Sequence, residues 1–473
     1  MERLTVGRWT LPPGPAAPSL GEVHRTVAIP EGSGFLRKFL IFSGPALLVS
    51  VGYMDPGNWA TALAGGSRFG YSLLWVVLVS SLMALLLQTL TTRLGLVTGR
   101  DLAQACREAY PPPVVWALWL LCEVAIVACD LAELIGSAVA LNLLLGIPLL
   151  LGVGLTALDV LLLLGLVRFG FRKLEAVVLV LVGTIGACFA WEIALASPAW
   201  PAVLRGLLVP SVPGPEALLL GLGILGATVM PHNLYLHSSL VQSRAWDRSP
   251  EGLREALRHN ALDTFVSLGS AFFVNAALMV LAAAVFHGRG EEVGELQKAH
   301  ELLTPLLGGG AATLFALALL ASGQSSTITG TLAGQVVMEG FLDLRMAPWK
   351  RRVLTRGLAL VPALALVGLE GGGGTVHLLV LSQVVLSMQL PFALFPLVQF
   401  TSDPRRMGPH ANSPFWRWVG YGVSWVIVGL NLYLLAGALG PAWLAGLLAL
   451  PAAFAAWLRF VYRAPDAGAP TSP

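Results

Sequence analysis

The chain alternates long apolar runs with short polar segments, and the lengths of the runs set the first expectation. A hydrocarbon core about 30 Å thick takes roughly 20 apolar residues per helix. Runs of that kind predict helices at about 36–65, 70–92, 113–144, 146–167, 174–197, 215–241, 261–287, 311–342, 352–369, 374–400, 417–438 and 441–461. The expected fold class is therefore an all-α polytopic membrane protein of about 12 transmembrane helices. Residues 1–34 are Pro-rich and mixed in charge, and they read as a flexible cytoplasmic tail. Ten of these expected helices lie within residues 35–401 and two more within 415–461, with 462–473 a disordered cytoplasmic end. No cleavable signal pattern precedes the first span, so insertion is expected to rely on that retained helix.

Two of the runs are broken by residues that a lipid-facing helix excludes. The first break is GYMDPGNWA at 52–60 and the second GATVMPHNLY at 226–235. Proline removes a backbone donor and Asp or Asn is costly in hydrocarbon, so each break must line a protected cavity. Superimposing Pro56 on Pro231 also superimposes Asn58 on Asn233 and sets Asp55 against Met230. The second break lies five helices on from the first, an odd number, so the second half enters the membrane inverted relative to the first, with repeats at about 35–200 and 215–401. Matched broken helices in inverted halves point to the binding site of a secondary transporter.

Composition agrees with the pattern and narrows the class. Hydrophobic residues make up 56% of the 473 and charged residues 12%, against about 25% charged in a soluble domain. A net charge of +3 with no basic block argues against a nucleic-acid partner. Cys106, Cys122, Cys129 and Cys188 have neither disulfide-framework nor zinc spacing. With the N-terminus inside, 24 of the 29 Lys and Arg fall in inward segments, four in outward ones, and Arg356 within helix nine. That asymmetry places both termini in the cytoplasm. Arg-rich basic content and short tails suit a bacterial inner membrane.

The breaks carry residues able to hold a cation. Asp55 offers a carboxylate, Asn58 an amide oxygen and Met230 a thioether, while unwound backbone near Gly52 and Ala227 adds carbonyls. Mg²⁺ and Ca²⁺ prefer all-oxygen shells, so the sulfur biases the site toward Mn²⁺, Fe²⁺ and their neighbours. Helix three carries Glu123, Asp130 and Glu133 within an arc of about 80° at ~100° per residue, hence on one face. Such carboxylates need partners away from lipid, and Arg351 and Arg352 at the start of helix nine are the candidates. His232 and His237 follow the second break and titrate in the physiological range. A proton relay from Asp55 and His232 through Glu133 and Asp130 to the arginines and Glu123 is one reading. An ion-pair network that merely holds helices three and nine together is the other. Asp159, Glu175, Asp263 and His377 read as caps, interface residues or structural bonds.

These residues sit in motifs that resemble the natural resistance-associated macrophage protein (Nramp) family of proton-coupled divalent metal transporters. DPGN at 55–58, GATVMPHNLYLHS at 226–238 and GQSSTITGTLAGQVVMEGF at 323–341 carry the likeness, and LSQVVLSMQLPFAL at 381–394 is in the same style. The resemblance implies a LeuT-like fold, with helices 1–5 and 6–10 as inverted repeats that form the transport core and the last two helices outside it. It implies metal ligation by Asp55, Asn58, Met230 and the carbonyl of Ala227, joined by Gly52 or Gln383 in some states, and much the same proton route. A family branch that carries Mg²⁺ differs at the methionine, so Met230 favours transition metals. The implied partners are the metal cargo, protons and the lipid bilayer, with no cofactor and no obligate protein partner. An amino-acid or organic-cation carrier of the same fold is the main alternative, but Asp55 would repel a substrate carboxylate. An enzyme is not expected, because no His-Glu-x-x-His, Gly-x-Ser-x-Gly or Walker A pattern is present.

Overall fold

A computed structural model describes residues 5–6, 9–10, 17–30, 34–158, 170–290, 293, 295–370 and 375–439, the side chains of a few helical residues excepted. Three helices build the first expected span, the last two started by proline: α1 (Phe35–Phe42), α2 (Pro45–Gly52) and α3 (Pro56–Phe69). Proline is well placed at the first helical position because its missing N–H would be unpaired there anyway. α4 (Leu74–Thr98), α5 (Leu102–Ala109) and α6 (Pro112–Leu145) follow, then α7 (Leu149–Ala157), α8 (Phe171–Ala196) and the short α9 (Trp200–Leu208). The second broken span is α10 (Pro215–Thr228) and α11 (Pro231–Leu240). The remainder comprises α12 (Pro250–Val285), α13 (Leu296–Leu307), α14 (Gly309–Leu342), α15 (Pro348–Glu370), α16 (Thr375–Thr401), α17 (Pro404–Met407) and α18 (Pro414–Leu439).

Eleven of the twelve expected spans thus have helical counterparts; the twelfth, at 441–461, lies outside the described residues, as does the end of the fourth. Among the described residues eight helical stretches are long and apolar enough to cross a membrane, α3 and α4 counting as one. α1 and α2 would add a ninth, bent by 46° at Ser43–Gly44. That bend was not expected. Gly44 has φ +142°, and the carboxylate of Asp263 accepts from the N–H groups of Gly44 and Ala46 at 3.3 and 3.0 Å, capping α2 from α12.

The long helices α6 and α14 lie against one another through a stripe of glycines in the third motif. A Cβ at Gly323 would collide with Ser137, one at Gly330 would sit 3.2 Å from Glu133 Oε1, and one at Gly334 would sit 2.6 Å from Arg351 Nη1. Small residues let helix backbones approach where lipid supplies no hydrophobic drive. Here they also clear room for the charged side chains of α6 and α15.

Residues 17–30 differ from the expected free tail. Leu20, Val23 and Val27 are buried, and Val27–Ala28 pair in parallel with Arg244–Ala245 just beyond α11.

Candidate metal centre

The two breaks meet. Asp55, in extended backbone, caps α3: Oδ1 accepts from the Asn58 N–H at 3.0 Å and Oδ2 from the Gly57 N–H at 3.1 Å. Asn58 reaches across both breaks, its Nδ2 donating to Asp55 Oδ1 at 2.7 Å and to the carbonyl of Ala227 at 2.9 Å. From α16, Gln383 Nε2 donates to Asp55 Oδ2 at 3.1 Å. Met230 stands at the N-cap of α11, and its Sδ lies 3.7 Å from Asn233 Nδ2. Gly52 is where that amide packs, since a Cβ there would overlap Asn233 Nδ2. All of these side chains are buried.

The hydrogen-bond account of the site leans toward a cation. One carboxylate and one carbonyl are held by amide N–H groups, while the buried oxygens Gln383 Oε1 and Asn233 Oδ1 accept from nothing among the described residues. Buried acceptors left unpaired are unfavourable by about 1–3 kcal/mol each. A positive ion would relieve them and replace the Asn58 N–H between Asp55 and Ala227. Among the described residues no cluster of three or more His, Cys, Asp or Glu forms a conventional metal site. This centre instead combines one charge with amides, a carbonyl and a thioether.

Other polar residues hold the breaks open. Met54 O accepts from Trp59 Nε1 at 3.1 Å and from the Ser322 hydroxyl, and Tyr53 O accepts from Asn275 Nδ2 at 2.7 Å. His237 Nδ1 lies 2.9 Å from Gln88 Oε1, and Gln88 in turn bonds the Tyr53 hydroxyl. His232, in the first turn of α11, is buried with Nδ1 unpaired among the described residues. The sequence reading did not single out Gln88, Asn275 or Ser322. Gln88 and Asn275 did carry a signal, as lone amides in apolar helices.

Beside the centre runs a ladder of acids and arginines. Arg351 meets Glu123 at 2.8 Å, and Trp119 Nε1 donates to the same oxygen at 3.1 Å. Arg351 is one of the two arginines expected to partner the acids of this face, and Glu123 is the acid it meets; Asp130 and Glu133 meet an arginine not expected as their partner. Arg356 takes both, at 3.7 and 3.3 Å, and also donates to Thr327 Oγ1 at 3.1 Å. One and a half turns of α15 separate the two arginines, so each serves a different level of α6. The side chain of Arg352 lies outside the described set. Arg356 was legible as the single charge inside helix nine, a position that calls for a partner.

Gly136, one turn past Glu133, lets Pro56 pack directly on α6, and a Cβ there would overlap the proline ring. Gly136→Ala is expected to push Pro56 and the Asp55 cap aside, costing about 1–3 kcal/mol as an overpacking change. Thermal unfolding in detergent and metal uptake should both fall, uptake by tenfold or more. A variant with unchanged stability and uptake would show that the contact is not needed.

Comparison with known proteins agrees with this architecture. The profile of the family described as "Natural resistance-associated macrophage protein-like" matches residues 46–437. The divalent metal cation transporter MntH of Bradyrhizobium diazoefficiens is 57% identical over 429 residues, covering 90% of this chain and 95% of that protein. MntH of Xanthomonas campestris is 58% identical, covering 89% and 96%. A histidine-to-alanine variant of the Eremococcus coleocola manganese transporter superimposes with TM-score 0.83 at 40% identity, covering 89% of this chain and 91% of that one. The nucleobase-cation symporter Mhp1 shares the fold alone, with TM-score 0.59 at 18% identity over 97% and 98% of the two chains. With a LeuT-like arrangement of helices and a family match from Ala46 to Gly437, this chain belongs to the Nramp family.

Proposed function

We propose that this protein imports divalent transition-metal ions, Mn²⁺ and Fe²⁺ among them, by alternating access coupled to protons. The observation that carries the reading is the convergence of Asp55, Asn58, the Ala227 carbonyl and Gln383 where two broken helices meet, with Met230 in the second break. Asp55 supplies the charge that draws the cation. Turning the Asn58 and Gln383 amides about their last side-chain bond exchanges N–H for oxygen, so the groups that hold the closed site become ligands. Met230 supplies the soft donor that oxygen-preferring ions do not use.

In this reading protons leave by a second path. Asp55 and His232 exchange protons with Glu133 and Asp130, Arg356 balances those two acids, and Arg351 with Glu123 continues the line. His237 is assigned to the Gln88–Tyr53 chain that steadies the first break. The protein would sit in a bacterial inner membrane with both termini cytoplasmic, with no nucleic acid and no obligate protein partner.

The test is uptake into proteoliposomes carrying an internal pH dye, wild type beside Met230→Ala, with Ca²⁺ and Mg²⁺ as competitors. Wild type should take up Mn²⁺, acidify the lumen and ignore a hundredfold excess of Ca²⁺. Met230→Ala should retain transport but lose Ca²⁺ rejection by about tenfold or more. Wild type that moves no metal under any pH gradient or voltage would end the metal reading and make amino acids the next substrates to try.

A further inference from the structure

We propose that residues 17–30 form a built-in strap that locks the inner end of the transport path and must undock for cargo to leave. The inference rests on the transport reading above. The strap precedes residue 46, where the family profile begins. Its contacts fall on the inner ends of several separate elements. The carbonyl of Ala17 accepts from Gln104 Nε2 of α5 at 2.9 Å, and the carbonyl of Ser19 accepts from Ser239 Oγ of α11 at 3.2 Å. On α14, Glu339 Oε2 accepts from the Leu20 N–H at 3.0 Å, and Gln335 Nε2 donates to Glu22 at 3.2 Å. Beyond α11, the Arg25 N–H donates to Gln242 O at 3.0 Å and its guanidinium to Trp246 O at 3.3 Å.

Two features make this a fastening rather than packing alone. First, α11 runs ten residues, about 15 Å, from Met230 and His232 at the metal centre to Ser239 and Leu240 under the strap. Second, Val27 pairs with the backbone of Arg244, whose guanidinium grips the end of α1 through the carbonyls of Ile41 and Ser43, at 3.1 and 2.8 Å. Arg244 is itself held by Glu175 at 2.7 Å. The half-helix that leaves the metal centre is therefore tied at one knot to the bend between α1 and α2, just ahead of the helix that enters the first break. Opening the inner side by moving α1 from α11 would break it. Leu20 and Arg25 have φ of +54° and +55°, a conformation that L-residues adopt only when the surroundings hold them there. The docked state is over-determined by its contacts, and release relaxes two strained residues.

The experiment pairs Ser19→Cys with Ser239→Cys in the full-length protein in proteoliposomes. Oxidation with copper phenanthroline should cross-link the pair and lower Mn²⁺ uptake at least tenfold, and dithiothreitol should restore it. The reduced protein serves as its own folding control, and wild type oxidised in the same way controls for the native cysteines. Undiminished uptake by cross-linked protein would overturn the strap, as would failure of the pair to cross-link. A reduced variant and wild type that both move no metal would instead count against the transport reading. A second measurement does not depend on transport. In Ser239→Cys, adding Leu20→Asp should speed maleimide labelling at least tenfold, and an unchanged rate would overturn the proposal.

Discussion

Asp55→Asn is expected to reduce metal uptake to below 1% of wild type while leaving the protein folded. The substitution separates two roles of one side chain. As an N-cap, asparagine is about as good as aspartate, and one side-chain oxygen can still accept from the Asn58 or Gly57 N–H. Stability should therefore move by no more than about 1 kcal/mol. As a cation ligand the loss is large. A carboxylate and a divalent ion ~4 Å apart attract by about 8 kcal/mol at an effective dielectric of 20. Losing even a third of that weakens binding ~100-fold. Isothermal titration with Mn²⁺, beside uptake and thermal unfolding, reads all three quantities. Retained Mn²⁺ affinity in a stable Asp55→Asn protein would remove the carboxylate from the site and with it the assignment of the breaks as the metal centre.

Arg356→Met should be the most damaging change outside the metal centre. It leaves Glu133, fully buried, and Asp130, nearly so, without the guanidinium that serves both. Removing one partner of a buried ion pair costs about 3–5 kcal/mol, because the remaining charge is stranded. Arg351→Met should cost less, since Glu123 is more exposed and keeps Trp119 as a donor. The decisive comparison adds Asp130→Asn and Glu133→Gln to Arg356→Met. A ladder that only fastens helices should recover both stability and proton-to-metal ratio once the acids are neutral. A relay should recover stability alone. Arg356→Met with normal stability and normal coupling would show that neither role belongs to this arginine.

The acid–arginine ladder and the two helix breaks meet at one place in the fold, and small residues make that possible. Gly136 admits Pro56 against α6, and Gly330 clears the space beside Glu133 and Asp130. A single turn of α6 thus lies between the acid pair and the proline that follows Asp55. The glycines of the third motif allow the close approach between α6 and α14.

By itself the sequence determined the class, the spacing of the described spans, and the two breaks. These follow from local rules: hydrocarbon thickness sets run length, and Pro56 and Pro231 cannot continue a helix from the residues before them. It also singled out Asp55, Asn58 and Met230, because polar or soft donors at a break in an apolar run have few other uses. The tertiary structure alone decided who pairs with whom. Arg356 holds Asp130 and Glu133, because the pitch of α15 and its crossing with α6 choose the partner, and neither is encoded in spacing along one helix. Gln88 and Asn275 acquire meaning only when distant helices bring them to the breaks. The same holds for residues 17–30. Their Pro-rich, polar composition reads as a tail, and only the folded chain buries Leu20, Val23 and Val27 and supplies, from α5, α11 and α14, the hydrogen-bond partners that hold the segment in place.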